Sequence, residues 1–206
     1  RPGTVGYPYD GVQSRLDPQT DEIQVKSPGN MLGYFKEPEQ TRNALTADGW
    51  LRTGDKGVLD AEGGLRISGR VKDIFKTGKG KYVAPAPIED RLVMHDAVEA
   101  CAVSGANLGQ PLGIVMLNVD GIAQAAQPEG RQALEASLTE HLKTVNGTLD
   151  PHEQLDCLVL VTTPWTVDNG FITPTFKVKR NRIEEVYTPM FEGWTGARRP
   201  VVWHQA

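Results

Sequence analysis

Between Gly130 and Asn146, Leu134, Leu138, Leu142 and Val145 recur at helical spacing, and Gly147 follows as a C-terminal stop. An amphipathic helix of that length holds only if something covers its apolar stripe. The neighbouring segments supply a partner. Val98–Ser104 and Leu112–Val119, joined by "GANLGQP", read as an antiparallel pair of strands, and Cys157–Val161 reads as a third. Two further helices fit around them. "PIEDRLVMH" offers a proline at the first helical position and two acids in the first turn. Asn181–Phe191 turns Ile183, Val186 and Tyr187 inward. Helices over one three-stranded sheet make a compact α+β domain.

Before about Val71 the rhythm differs. Short strands alternate with glycine: "EIQVK" (Glu22–Lys26) alternates apolar and polar, as does "GLRISGR" around Leu65 and Ile67. "DAEGG" (Asp60–Gly64) has the composition of a hairpin turn, and "EPEQTRNAL" after Pro38 reads as a brief helix. This stretch predicts a small β-rich, barrel-like or sheet layer at 1–70, beside a second domain at 71–206. With 206 residues the chain holds one large domain or a small domain beside part of another. It opens "RPGTVGYP" without a methionine, as a piece of something longer would.

Net charge of −4 argues against a nucleic-acid binder, whose domain is basic as a whole. No apolar run approaches the roughly 20 residues that span a bilayer, so a soluble protein is expected. Cys101 and Cys157 sit in apolar, strand-like runs and read as small buried hydrophobes in a reducing cytosol. His95, His141, His152 and His204 show no metal spacing, and no Ser or Cys sits in a nucleophile turn.

Three stretches carry candidate chemistry. "DGWLRTGD" places Asp55 at the tip of a turn between strands, where a carboxylate can accept two hydrogen bonds from a vicinal diol; an ordinary turn aspartate fits the octapeptide too. "GRVKDIFKTGKGKYVAP" combines Arg70, Lys72, Lys76, Lys79 and Lys81 with Gly78 and Gly80. It suits a phosphate or a solvated hairpin, and it matches neither the Walker nor the dinucleotide spacing. "NGFITPTFKVKRN" sets Lys177 in a loop restricted by Pro174, with Phe171 and Ile172 as anchors. The loop can hold a cation against an anion, or leave an ordinary surface lysine.

Taken in order, "GTVGYP", "EIQVKSPGNMLGYFKEPEQT", "DGWLRTGD", "GRVKDIFK…YVAPAPIED" and "TPTFKVKR" resemble the closing motifs of the adenylate-forming superfamily. "YVAPAPIE", "HEQLDCLVLV" and "WTVDNGFITPTFKVKRN" are most similar to long-chain fatty acid–CoA ligases, whereas members of the superfamily outside that branch usually carry Gly before the lysine of "TPTFK". The resemblance implies the end of a large AMP-binding domain at 1–70 and the complete mobile C-terminal domain at 71–206. It implies that Asp55 binds ribose hydroxyls, that Arg70 contacts the same nucleotide, and that Lys72 is the hinge for domain rotation. Lys177 would reach the substrate carboxylate and the α-phosphate. Lys76, Gly78 and Gly80 would lie where CoA's pantetheine arm runs, with the choice between the two glycines open.

The implied reaction joins a fatty acid to ATP, with Mg²⁺, as acyl-AMP, and then passes the acyl group to CoA. The family's Ser/Thr/Gly-rich phosphate loop would precede Arg1, so the chain alone is expected to be inactive. The implied partners are fatty acid, ATP and CoA, with no nucleic acid and at most peripheral membrane contact through the parent protein. The implied location is the cytoplasm, or the periphery of the inner membrane face. Adenylation of another acid, transfer to a carrier protein, or a non-catalytic interaction module on the same fold are the alternatives.

Overall fold

The structure, a computed structural model, describes residues 4–204. The chain divides into two compact units that follow one another in sequence between Ile74 and Phe75. The first unit comprises β1 (Gln13–Leu16), β2 (Glu22–Lys26), a short helix α1 (Pro38–Ala44), β3 (Leu51–Leu59) and β4 (Leu65–Arg70). The strands pair antiparallel in chain order, β1-β2-β3-β4, an open sheet layer. The hairpin turn at Asp60–Gly64 forms because the Asp60 carboxylate accepts from the Glu62 and Gly64 amides at 3.0 and 2.7 Å.

The period-2 pattern of β2 does not describe its burial. Gln24 is as buried as Ile23, because β2 is an inner strand and Gln24's polar atoms find partners on its own face. Its amide oxygen accepts from Arg15 at 2.7 Å and its amide nitrogen donates to Asp17 at 3.1 Å.

The second unit opens with a small hairpin of β5 (Phe75–Lys76) and β6 (Tyr82–Val83), followed by α2 (Pro85–Leu92). Then come β7 (Val98–Ser104), β8 (Leu112–Leu117), α3 (Val119–Ala125), α4 (Pro128–Asn146) and β9 (Leu158–Val161). The chain closes with α5 (Arg180–Tyr187), α6 (Phe191–Gly196) and β10 (Val201–Trp203). The sheet order is β10-β9-β8-β7. β7 and β8 are antiparallel as expected, whereas β9 runs parallel to β8 because α3 and α4 carry the chain back across the sheet. The α+β architecture stands, and the sheet has four strands rather than three. The extra strand, β10, lies parallel to β9 and is only three residues long, too short to carry a pattern of its own.

Both faces of this sheet are covered. Val115, Leu117, Leu158 and Leu160 pack with Ile88 and Leu92 of α2 and with the Leu134, Leu138, Leu142 and Val145 stripe of α4. Ile114, Met116, Val159 and Val161 face the other way, onto Trp165, Phe171, Ile183, Tyr187 and Trp194. That explains why β8 and β9 read as unbroken apolar runs.

Several elements differ from the sequence reading. The expected last helix, Asn181–Phe191, ends at Tyr187 as α5; a 3₁₀ turn at Thr188–Met190, with Pro189 in it, separates it from α6. β8 stops at Leu117, not Val119, because the Asn118 side chain accepts from the Gly121 amide at 2.8 Å and starts α3. α2 begins at Pro85, so Glu89 and Asp90 fall in its second turn and no acid lies in the first. Gly147 has a helical φ of −64°, not a left-handed one. The end of α4 is held instead by the Asn146 amide, which exchanges hydrogen bonds with the Leu155 backbone at 2.9 and 2.8 Å. Among the described residues no helix is long and apolar enough to cross a membrane.

Candidate functional site

Asp55 does not cap a turn. It lies inside β3, directly opposite Arg70 of β4, and its carboxylate meets the Arg70 guanidinium at 3.0 Å. The octapeptide looks like a turn because it contains one: a bulge within the strand. Gly54 takes φ +76° there, and the pairing of β2 with β3 slips between Glu22 and Gln24. The bulge is held from both sides. The Glu22 carboxylate accepts from the Gly54 amide at 3.0 Å and from Arg52 at 3.2 Å, while Thr53 Oγ1 donates to the Ile23 carbonyl at 2.7 Å. Thr53 Oγ1 in turn accepts from the Asp55 amide at 3.1 Å. The bulge thereby re-aims Asp55, leaving its side chain 31% exposed and within reach of a ligand.

A groove of about 520 Å³ opens beside this bulge, within the first unit. Glu22, Arg52, Gly54, Arg70, Lys72 and Asp73 line it together with polar side chains from α1. Three cations against the Glu22 and Asp73 carboxylates, with Arg52 paired to Glu22 and Arg70 to Asp55, give the groove mixed polar chemistry that suits a ligand carrying both hydroxyls and negative charge. Lys72 lies in the single 3₁₀ turn Val71–Asp73, exposed, two residues before the first unit ends.

Lys76, Gly78 and Gly80 belong to the second unit, in and after β5. The loop is built on Thr77, which is buried and whose amide donates to the Lys81 carbonyl at 2.8 Å. The two glycines do different work. The Gly78 amide donates to the Leu108 carbonyl at 2.7 Å, and a Cβ there would stand 2.6 Å from the Asn107 carbonyl oxygen. Gly80 has φ +78°, a Cβ there would meet only the Lys76 side chain at 3.8 Å, and its amide closes the turn onto Thr77 at 2.9 Å. Gly78 is therefore pinned against the backbone of its own domain, while exposed Gly80 borders only a flexible side chain.

Lys177 sits on a tight hairpin in the second unit. Ile172 and Val178 form the bridge that starts it. The Phe176 amide donates to the Thr173 carbonyl at 2.8 Å, and the Thr173 amide donates to the Lys177 carbonyl at 2.8 Å. This is a turn around Pro174 followed by one left-handed residue, Phe176, at φ +60°. Thr173 Oγ1 also accepts from the Lys177 amide at 3.1 Å. The lysine backbone is thus fixed by two hydrogen bonds while its side chain is exposed. Among the described residues no carboxylate lies within ion-pair distance of its ammonium.

The basic cluster after Lys177 is not a patch. Arg180 pairs with Glu89 at 2.6 Å, and Arg182 pairs with Glu185 at 2.8 Å. Of the four cations between 177 and 182, Lys177 lies within the hairpin turn and Lys179 flanks it, its amide tied to the Phe171 carbonyl at 2.8 Å.

The structure thus brings Asp55 and Arg70 together, adds Lys72 to the adjoining groove, and places Lys76, Gly78, Gly80 and Lys177 in the second unit. Sequence reasoning missed Glu22 and Glu89. The one available signal was a carboxylate inside an otherwise apolar strand or helix face, where a charge is retained only with a partner. Cys101 and Cys157 are buried free thiols. Burial pushes the Cys101 thiol well up and the Cys157 thiol up to about 12, which makes both poor nucleophiles. His95 accepts the Ala97 amide on Nδ1 at 3.2 Å, so its neutral ring carries the proton on Nε2, facing Ser137 Oγ at 2.9 Å. That tautomer cannot activate Ser137.

A family model for the AMP-binding enzyme C-terminal domain matches residues 72–193. Long-chain-fatty-acid–CoA ligase 6 of Mus musculus is 34% identical over 184 residues, covering 83% of this chain and 26% of its own length. Long chain acyl-CoA synthetase 7, peroxisomal, of Arabidopsis thaliana is 36% identical over 179 residues, covering 77% of this chain and 25% of its own. The chain therefore spans about a quarter of the length of these curated relatives. Among solved structures, the adenylation domain of a carboxylate reductase from Mycobacterium chelonae superposes with a TM-score of 0.76 at 23% identity, over 90% of this chain and 31% of that one. The O-succinylbenzoate coenzyme A synthetase of Bacillus subtilis, solved with AMP, gives 0.66 at 25% identity, over 88% of this chain and 35% of that one.

Proposed function

The chain belongs to the family of AMP-binding enzyme C-terminal domains, and on that premise we propose that it is the C-terminal part of a long-chain fatty acid–CoA ligase. The parent enzyme condenses a fatty acid with ATP to acyl-AMP and pyrophosphate, and CoA then displaces AMP to give acyl-CoA. The observation that carries the reading is the Lys177 hairpin: an exposed lysine whose backbone is fixed at two points. Joining a carboxylate to a phosphate brings two anions together, and a cation fixed between them stabilises the charge of the transition state. Preorganisation is what makes such a contact effective, since a lysine on a wandering loop would lose much of its benefit.

Asp55 is the acceptor for the ribose hydroxyls, with Arg70 orienting its carboxylate and contacting the nucleotide. Mg²⁺ accompanies the ATP phosphates. Lys72 is the hinge about which the second unit turns between half-reactions. CoA runs past Lys76 and Gly80, an exposed glycine whose Cβ position borders only the Lys76 side chain. The acid is taken to be a fatty acid because curated relatives such as the Mus musculus ligase are named for that substrate. The location is the cytoplasm, with at most peripheral contact at the inner membrane face.

In the full-length parent, Lys177→Ala should lower single-turnover acyl-AMP formation by about a hundredfold or more, the loss of one transition-state donor. Acyl-CoA formation from supplied acyl-AMP should stay near normal. Equal losses in both half-reactions would make Lys177 a structural residue and end this assignment.

A further inference from the structure

The pair Glu89–Arg180 has an arrangement beyond that of an ordinary ion pair. β7 is an edge strand of the second unit's sheet, and Val103 within it is fully buried. The backbone of Val103 is completed by these two side chains acting as a substitute strand. Glu89 Oε1 accepts from the Val103 amide at 2.7 Å, and Arg180 Nη1 donates to the Val103 carbonyl at 2.7 Å. Arg180 Nη2 then closes the circuit on the same Glu89 Oε1 at 2.6 Å. One turn further along α5, Ser104 Oγ donates to Glu184 at 3.2 Å. The start of α5 is therefore fastened to the sheet by a fork whose planar geometry only arginine supplies.

Arg180 is the first residue of α5, and only Val178 and Lys179 separate it from Lys177. On the near side of the hairpin, the Lys179 amide donates to the Phe171 carbonyl at 2.8 Å, and Phe171 is buried in the sheet's second core. The tip bearing Lys177 is thus suspended between a buried aromatic ring and the Arg180 fork. We propose that Glu89 and Arg180 are positioning residues for Lys177, setting where its ammonium comes to rest during adenylation. This rests on the role given to Lys177 above. A displacement of about 1 Å at a catalytic group can cost on the order of a hundredfold in rate, so a looser anchor three residues away is felt at the chemistry.

The test uses the full-length parent and a double-mutant cycle. Arg180→Lys keeps the charge but can serve only one of the two acceptors well. It should lower single-turnover acyl-AMP formation by about tenfold while leaving CoA transfer to supplied acyl-AMP within about twofold, because a point cation replaces a bidentate fork. Glu89→Gln, which keeps an oxygen acceptor for both donors, should fall about threefold in the same step, the milder loss expected when the acceptor loses its charge while the guanidinium keeps its own. The decisive arm places each substitution on a Lys177→Ala background. If Glu89 and Arg180 act through Lys177, neither should lower adenylation further there, because residues that work as one unit are not additive. A full additional loss on that background, equal loss in both half-reactions, or no loss from either variant would overturn the proposal. Should Arg180→Lys fail to fold, Glu89→Gln carries the cycle alone under the same criteria. If Lys177→Ala alone left adenylation intact, the functional assignment of Lys177 would fail instead, a separate outcome read from a separate variant.

Discussion

Replacing Phe176 by glycine should make the second unit more stable than replacing it by alanine, although alanine is ordinarily the less disruptive residue. Phe176 holds φ +60° because the turn around Pro174 requires a left-handed residue before Lys177. A residue with a Cβ gives up about 1–2 kcal/mol in that region relative to the right-handed one. The phenyl ring offsets little of this, since it is 85% exposed and so recovers only a small share of the roughly 1.5–3 kcal/mol of a buried phenylalanine. Alanine keeps the strain and loses only that small share. Glycine removes the strain but loses about 0.5–1 kcal/mol more chain entropy on folding. The difference favours glycine over alanine by about 0.5–1 kcal/mol. Urea unfolding followed by tryptophan fluorescence reads this unit well, because Trp165, Trp194 and Trp203 all lie in it. A glycine variant that unfolds at lower urea than the alanine variant would show that the hairpin does not impose a left-handed residue at 176. The fixed presentation of Lys177 would then lose its structural basis.

Lys72→Pro in the full-length parent should separate the half-reactions the other way, since proline fixes φ at the proposed hinge; acyl-AMP forms in single turnover while its conversion to acyl-CoA stalls, and normal flux to acyl-CoA would exclude a pivot at Lys72. Leu138→Ala removes a fully buried side chain between α4 and the sheet and should cost about 2–5 kcal/mol in urea denaturation; a loss below 1 kcal/mol would mean that the stripe of α4 is not core. Burial, and then the neighbouring His141, hold the His95 imidazolium below its usual range. The folded form therefore binds fewer protons than the unfolded chain, so this contribution is present above about pH 6.5 and is lost as the pH falls below it. Urea midpoints at pH 7.5 and 5.5 should diverge less in His95→Gln than in the unsubstituted protein; an unchanged divergence would assign the acid sensitivity elsewhere.

What the sequence determined by itself is whatever depends on neighbours along the chain. The stripe of α4, the runs of β7, β8 and β9 and the Asp60 turn are all set within a few residues by periodicity and turn chemistry, whereas the left-handed conformation of Phe176 shows only in the structure. The order of motifs carried the family resemblance for the same reason. The tertiary structure alone decided what depends on distant partners. Gln24 is buried because strands lie on both sides of it. β10 exists because β9 offers it an edge. Asp55 leaves the expected turn and enters a strand because Glu22, 32 residues from Gly54, holds the bulge. Arg180 reads as one more member of a basic run until Glu89, 91 residues away, takes its charge. A buried charge is stable only beside its partner, and local pattern carries no record of which partner the fold will bring.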